Sequence, residues 1–195
     1  MKNKIIALTA PSCAGKDTLL NMFIEKFSNV NPCISYTTRP RRDGELDCVE
    51  YYFTNNKVFD YIKHNLVATR KYETEFGIWK YGLAKWEIER RLQAGHAIVI
   101  VDLNGLEQLK DCYGDDVVSI YLYLDKDTRT ERYIMRDKIT FENVKECIRR
   151  IEDDDKVFAN AQKYTNMSFY NRNTEETFKV VCMGLERYDI ELIER

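Results

Sequence analysis

An apolar run, Ile5-Ile6-Ala7-Leu8, is followed by Ala10-Pro11-Ser12-Cys13-Ala14-Gly15-Lys16-Asp17-Thr18 and then by a segment with helical spacing: Leu19, Leu20, Met22, Phe23 and Phe27. Strand, loop of small residues, Gly-Lys, helix is the order of a phosphate-binding loop. In such a loop, backbone N–H groups at the helix start point at an anion and a lysine adds positive charge. The strict pattern is Gly, four residues, Gly-Lys, then Ser or Thr. Here Ala10 stands at the first glycine and Asp17 at the hydroxyl position. The small residues Ala10, Ser12, Cys13, Ala14 and Gly15 still let a ligand come close to the backbone. An ordinary strand-to-helix turn is the competing reading.

Asp17 alters the chemistry of the pattern. A carboxylate can hold magnesium, which prefers oxygen ligands. Thr18 offers a hydroxyl for the same cation. Without the cation, Asp17 would repel phosphate, so a magnesium requirement is expected.

Two further apolar runs, Ala97 to Val101 (ended by Asp102) and Val117 to Leu124, read as strands buried on both faces, as in a parallel sheet. Helical stretches are expected at Ala84 to Ala94, Leu106 to Cys112 and Asp127 to Arg136. A longer one is expected from Thr140 to Lys163, with Phe141, Val144, Ile148, Ile151 and Phe158 on one face. A last short strand, Met167 to Tyr170, leads through Asn171-Arg172-Asn173 into a C-terminal helix. Alternating strands and helices predict a three-layer α/β fold. Tyr36 to Tyr81 breaks the rhythm. It is rich in Tyr, Thr and Phe, turns at Gly44 and Gly77, and reads as a small, partly β insertion. The expected division is therefore a core of residues 1–35 and 82–195, with a lid at about 130–150, and an insertion at 36–81.

The chain has 195 residues, enough for one compact domain, and its formal net charge of -2 gives no reason to expect nucleic-acid or membrane affinity. Six scattered cysteines without a Cys-x-x-Cys pair, and two histidines, argue against zinc. The apolar run after Met-Lys-Asn-Lys is too short for a signal peptide or a membrane span, so reduced thiols and a cytoplasmic location are expected. Cys13 reads as a small residue filling a tight loop, with a thiol activated by the helix N-terminus as the sharper alternative.

A second constellation is Ser35-Tyr36-Thr37-Thr38-Arg39-Pro40-Arg41-Arg42-Asp43-Gly44-Glu45, followed by Glu50-Tyr51-Tyr52-Phe53. Three arginines on a Pro-constrained turn can trap a dianionic phosphate through paired hydrogen bonds, and Tyr51 adds a hydroxyl. A solvated basic loop is the bland alternative.

With these residues in view, the chain resembles the guanylate kinases from Lys4 to about Asn173. That family's loop reads Gly-Pro-Ser-Gly-x-Gly-Lys-Ser-Thr. Its acceptor-binding insertion reads Ser-x-Thr-Thr-Arg-x-x-Arg-x-Gly-Glu, followed by Asp-Tyr-x-Phe. The resemblance implies that Ser12, Cys13, Ala14, Gly15, Lys16, Asp17 and Thr18 hold the phosphates of ATP and its Mg2+. It also implies that Ser35, Arg39, Arg42 and Tyr51 hold the acceptor phosphate. Tyr81-Gly82 matches a Tyr-Gly pair that closes the acceptor site, and Asp102 with Gly105 matches a family Asp-x-x-Gly. Arg132 and Arg136, four apart on one helix face, and Arg150 resemble lid arginines that reach the donor phosphates; Arg149 competes with Arg150. Asn171 resembles a residue near the donor nucleoside.

The departures fall on base recognition. The family reads guanine with a hydroxyl next to Tyr-Gly, which is Leu83 here. It also uses a glutamate, whose position falls near Lys71 or Tyr72, with Glu73 and Glu75 out of register. Ile100 replaces an acidic residue two before Asp102. The expected function is ATP-dependent phosphoryl transfer to a nucleoside monophosphate, GMP or dGMP first. Two alternatives stay open. One is a kinase for another (deoxy)nucleoside monophosphate or a ribose bisphosphate; the other is a non-catalytic binding module of the same fold. Partners are expected to be small-molecule nucleotides, with no nucleic acid or membrane, and the chain to be a monomer or homodimer.

Overall fold

The computed structural model describes residues 2–42, 44–74, 77–136 and 141–195. Asp43, Glu75, Thr140 and the side chains of Arg136 and Phe141 lie outside that description. In chain order the strands are β1 (Ile5–Thr9), β2 (Val30–Pro32), β3 (Tyr36–Thr37), β4 (Tyr52–Phe53), β5 (Leu66–Thr74), β6 (Gly77–Ala84), β7 (His96–Ile100), β8 (Val117–Tyr123) and β9 (Met167–Tyr170). The helices are α1 (Lys16–Lys26), α2 (Asn56–Ile62), α3 (Lys85–Ala94), α4 (Leu103–Tyr113), α5 (Lys126–Arg136), α6 (Phe141–Val157), α7 (Ala161–Tyr164) and α8 (Thr174–Glu186).

Five strands form a sheet in the order β2-β7-β1-β8-β9, and every neighbouring pair is parallel. β1 lies in the middle and is buried along its whole length. Alternate side chains feed two cores, as the period of two requires. Ile6 and Leu8 pack with Phe23 and Phe27 of the α1 segment and with Phe178, Val181 and Leu185 of α8. Ile5 and Ala7 pack on the other face with Ile88 of α3 and Leu106 and Leu109 of α4. This is the three-layer α/β arrangement expected from the apolar runs.

A second sheet has the order β4-β3-β6-β5. β5 and β6 form an antiparallel hairpin whose register shifts between Val67 and Arg70. That irregularity re-aims the strand, and Ala68 there has φ +50°. The base of the hairpin enters the main core through Val67 and Leu83. Below it, α2 starts at Asn55, whose side chain accepts the Val58 N–H at 3.0 Å, and Phe59 packs against Leu66 and Ala84.

The helices differ from the sequence expectation in three places: α4 starts at Leu103 rather than Leu106, α2 lies within the stretch read as partly β, and the long helix expected at 140–163 is divided. The apolar spacing of residues 140–163 belongs to two helices, α6 and α7, separated by a turn at Phe158–Asn160. Phe158 keeps the spacing because its ring returns to the core side and stacks on Tyr121, 5.7 Å away.

Phe23 is fully buried, with the Phe178 ring edge-on at 5.0 Å and the Phe27 ring at 5.8 Å. Phe23→Ala should therefore cost about 3–5 kcal/mol. Urea unfolding should show this as a lowered midpoint at unchanged slope.

Candidate functional site

The loop between β1 and α1 emerges from the middle of the parallel sheet. Gly15 has φ +92°, and a Cβ there would lie 2.4 Å from Nδ2 of Asn171. Glycine is thus required both by conformation and by space. Cys13 also sits in the left-handed region, at φ +62°, where the family pattern carries glycine. A non-glycine residue in that region is strained by about 1–2 kcal/mol. Packing on Tyr133, Cys147 and Ile151 of α5 and α6 works against that strain. Cys13 is therefore more than a small filler: it joins the loop to the two helices above it.

Asn171 is fully buried at the end of β9. Its Nδ2 donates to the Ala14 carbonyl at 2.7 Å, and its backbone N–H donates to Tyr123 O at 2.8 Å. Arg132 donates to the carbonyls of Cys13 (3.4 Å), Asn171 (3.3 Å) and Arg172 (3.1 Å). The loop carbonyls are thereby tied back to the protein, while Lys16, Asp17 and Thr18 open α1. Lys16 Nζ lies 3.5 Å from Asp17 Oδ2. The Ser12 N–H donates to Asp154 Oδ2 of α6 at 2.6 Å, so a carboxylate already takes one loop donor. The same oxygen lies 3.9 Å from Arg129 Nη1. Arg129 is 3% exposed and pairs with Asp155, and its Nε and Nη1 have no hydrogen-bond partner among the described residues.

On α6, Arg149 and Arg150 both bond to Glu146, whose carboxyl is pulled down to about 2, first by the Arg149 hydrogen bond. Arg149 also pairs with Asp153. Arg150 is half-buried and lies near Tyr133 of α5, whereas Arg149 is exposed. Of the two, Arg150 faces the neighbouring helix. Arg136 closes α5, with its side chain outside the described residues.

In the insertion, Arg39 is 5% exposed. Its Nη2 donates to Glu45 Oε1 at 2.7 Å and its Nη1 to Pro40 O at 2.8 Å. The guanidinium lies 5.5 Å from the Tyr51 ring and 5.6 Å from the Phe53 ring. Glu45 also accepts the Arg42 N–H at 2.8 Å, while the side chains of Arg41 and Arg42 stay exposed. Ser35 is half-buried and its carbonyl accepts the Tyr52 N–H. The Tyr51 and Tyr81 rings meet at 5.7 Å, and Tyr72 joins Tyr81 at 5.6 Å. Burial raises the Tyr51 phenol, and the charges of Arg70 and Arg39 pull it the other way. Asp17 also acts on Tyr51, and Asp154 acts on Tyr72. The loop side and the arginine side are thus within electrostatic reach of each other.

Arg70 lies over the rings of Tyr81 (5.0 Å) and Tyr72 (5.3 Å), with Nη1 3.5 Å from Asp102 Oδ2. Asp102 caps α4, its Oδ1 accepting the Gly105 N–H at 2.7 Å. Leu83 is fully buried, and Lys71 is exposed opposite Lys80. Glu45, Arg70, Arg129 and Asp154 escaped the sequence reading. Only Glu45, inside the arginine motif, carried a local signal; the others meet their partners through the fold.

A family model for guanylate kinase matches residues 2–188. The chain belongs to the guanylate kinase family. Its relatives include the guanylate kinase of Rhodopseudomonas palustris, 32% identical over 121 residues, and that of Helicobacter hepaticus, 33% identical over 137 residues. The first alignment covers 60% of this chain and 53% of the relative; the second covers 69% and 68%. The chain thus spans about half the length of the Rhodopseudomonas relative. The crystal structure of guanylate kinase from Anaplasma phagocytophilum matches with a TM-score of 0.66 at 19% identity, covering 97% of this chain and 87% of that one. At that identity the match speaks for the fold. Among the described residues no helix is long and apolar enough to cross a membrane.

Arg39 holds the Glu45 carboxyl below the usual carboxylate range through its hydrogen bond; burial opposes this, and the Arg42 N–H adds to it. A lowered folded value means that the pair stabilises the fold above the ordinary carboxylate range and loses that contribution as pH falls through the lowered value. Glu45→Gln should therefore lower the melting temperature at pH 7. The gap to the parent should close below about pH 4 in thermal scans.

Proposed function

We propose that this guanylate kinase family member transfers the γ-phosphoryl group of ATP to a nucleoside monophosphate, with GMP or dGMP as the first acceptor to try. What supports this reading is that two groups suited to anions lie within electrostatic reach of each other. On one side, the glycine-forced loop that leads to Lys16 already binds a carboxylate through the Ser12 N–H. On the other, a buried arginine is held rigid by Glu45 and framed by Tyr51 and Tyr81.

In this reading Lys16 and the loop N–H groups of Ser12 to Gly15 bind the donor phosphates. Arg39, Tyr51, Ser35 and Arg42 orient the acceptor phosphate, with Tyr81 behind it and Asp102 at the rim. An acceptor phosphate oxygen attacks the γ-phosphorus, the bond to the β–γ bridging oxygen breaks, and ADP leaves. The attacking oxygen is already anionic, so no base has to remove a proton. Positioning and charge neutralisation do the catalysis. Arg132, Arg136 and Arg150 supply positive charge from α5 and α6, and Asn171 fixes the loop on the donor side.

The oxygen donors of Asp17 and Thr18 suit magnesium. The described residues hold no cluster of three or more acidic, His or Cys ligands, and magnesium sites commonly combine one or two carboxylates with substrate phosphates. When bound, the cation neutralises phosphate charge; Asp17 and Thr18 would hold it.

A coupled ADP-release assay with GMP tests the reading. Lys16→Ala should cut turnover by about a hundredfold or more at an unchanged melting temperature. Near-parental turnover in that variant would overturn the assignment. Asp17→Ser should change the magnesium dependence measured in the same assay.

A further inference from the structure

The acceptor side of the cleft contains one cation that the proposed transfer does not use. Arg70 projects from β5 just beyond the register shift, so it lies on the same strand face as Tyr72 and opposite Tyr81. Its guanidinium is held by two aromatic faces rather than by a tight ion pair. The 3.5 Å distance to Asp102 is long for a charge-assisted hydrogen bond. It is about a third exposed, so a ligand in the cleft can reach it, and it is close enough to Tyr51 to act on its phenol.

The carboxylate beside it caps α4. Asp102 Oδ1 accepts the Gly105 N–H and Oδ2 faces Arg70. An ionised carboxylate offers about four lone-pair sites, so Asp102 keeps acceptor capacity beside Arg70. Leu83, beside Gly82, is fully buried and offers no polar group. What Arg70 presents to a ligand is a set of donors in a planar fork. Such a fork matches two adjacent acceptors, and the O6/N7 edge of a 6-oxopurine supplies that pair. Adenine puts an amino donor where O6 would be.

Resting on the nucleoside monophosphate kinase reading, we infer that Arg70 is the specificity-determining residue of the acceptor site. It reads the O6/N7 edge of a 6-oxopurine.

The test measures acceptor binding by calorimetry on the full chain, followed by steady-state kinetics. The probes are GMP, IMP, AMP, UMP and ribose 1,5-bisphosphate, and the proteins are the parent, Arg70→Ala and Arg70→Lys. GMP and IMP should both bind at least about tenfold more tightly than AMP and UMP. Arg70→Ala should weaken GMP and IMP by roughly ten- to a hundredfold and raise their KM with kcat largely kept. Arg70→Lys keeps the charge without the fork and should lose the preference over AMP. Should the alanine variant fail to fold, as judged by its melting temperature, the lysine variant decides alone.

Three results would overturn the inference: parental GMP affinity in the substituted chains, AMP or UMP equal to GMP, or the bisphosphate tighter than either purine. Arg70-dependent purine binding without phosphoryl transfer to any acceptor would sink the kinase reading and leave this inference standing. Turnover whose acceptor preference ignores Arg70 would do the reverse.

Discussion

β1 is the constraint on which the rest of the molecule depends. It is the middle strand of a parallel sheet, hydrogen-bonded to β7 on one side and β8 on the other. Both of its faces are buried under helices. A strand locked in this way has no freedom of register, because a one-residue slip would exchange Ile5 and Ala7 with Ile6 and Leu8 between two differently shaped cores. The loop that follows is therefore delivered to a fixed point at the carboxyl edge of the sheet. Open α/β sheets characteristically bind ligands along that edge. The buried amide of Asn171, reaching Ala14 from the end of β9, fixes the far side of the same loop.

The second sheet is anchored by the same logic. Its hairpin sends Val67 and Leu83 into the core that also holds Ile5 and Ala7. Glu87 then joins the pieces. This carboxylate is almost fully buried, bonds Arg90 and Arg91 on its own helix, and accepts the Ile34 N–H and the Tyr52 hydroxyl from the arginine-bearing segment. Burial opposes its ionisation, and the two arginines outweigh that cost and hold the carboxyl below its ordinary range. The arginine side of the cleft thus stands on the same framework as the loop side.

How far the sequence was legible follows from the range of each interaction. β1, β7 and β8 announce themselves because strands covered on both faces read as unbroken apolar runs, and α3 to α5 end within a few residues of the positions read from spacing. β2 gave no signal, being a three-residue edge strand that ends in Pro32. α2 was hidden in a stretch read as partly β. Within the site, Arg39 and Tyr51 stood out because their motif is local. Arg70 was invisible because its meaning depends on a register shift and on Asp102, 32 residues away. Leu83 departs from the family's hydroxyl, and the fold explains why: the position serves the core.

The contact between Ser12 and Asp154 spans 142 residues and changes what binding at the loop means. The loop amide has a tethered competitor, present at the high local concentration that attachment to the same chain provides. An incoming anion gains only the difference between its own grip and that of the carboxylate, so the exchange should discriminate against weak, singly charged anions more than against a polyphosphate. Asp154 also rides on α6 one turn after Arg150. An anion that takes over the Ser12 N–H therefore frees a carboxylate carried on the same helix as that arginine.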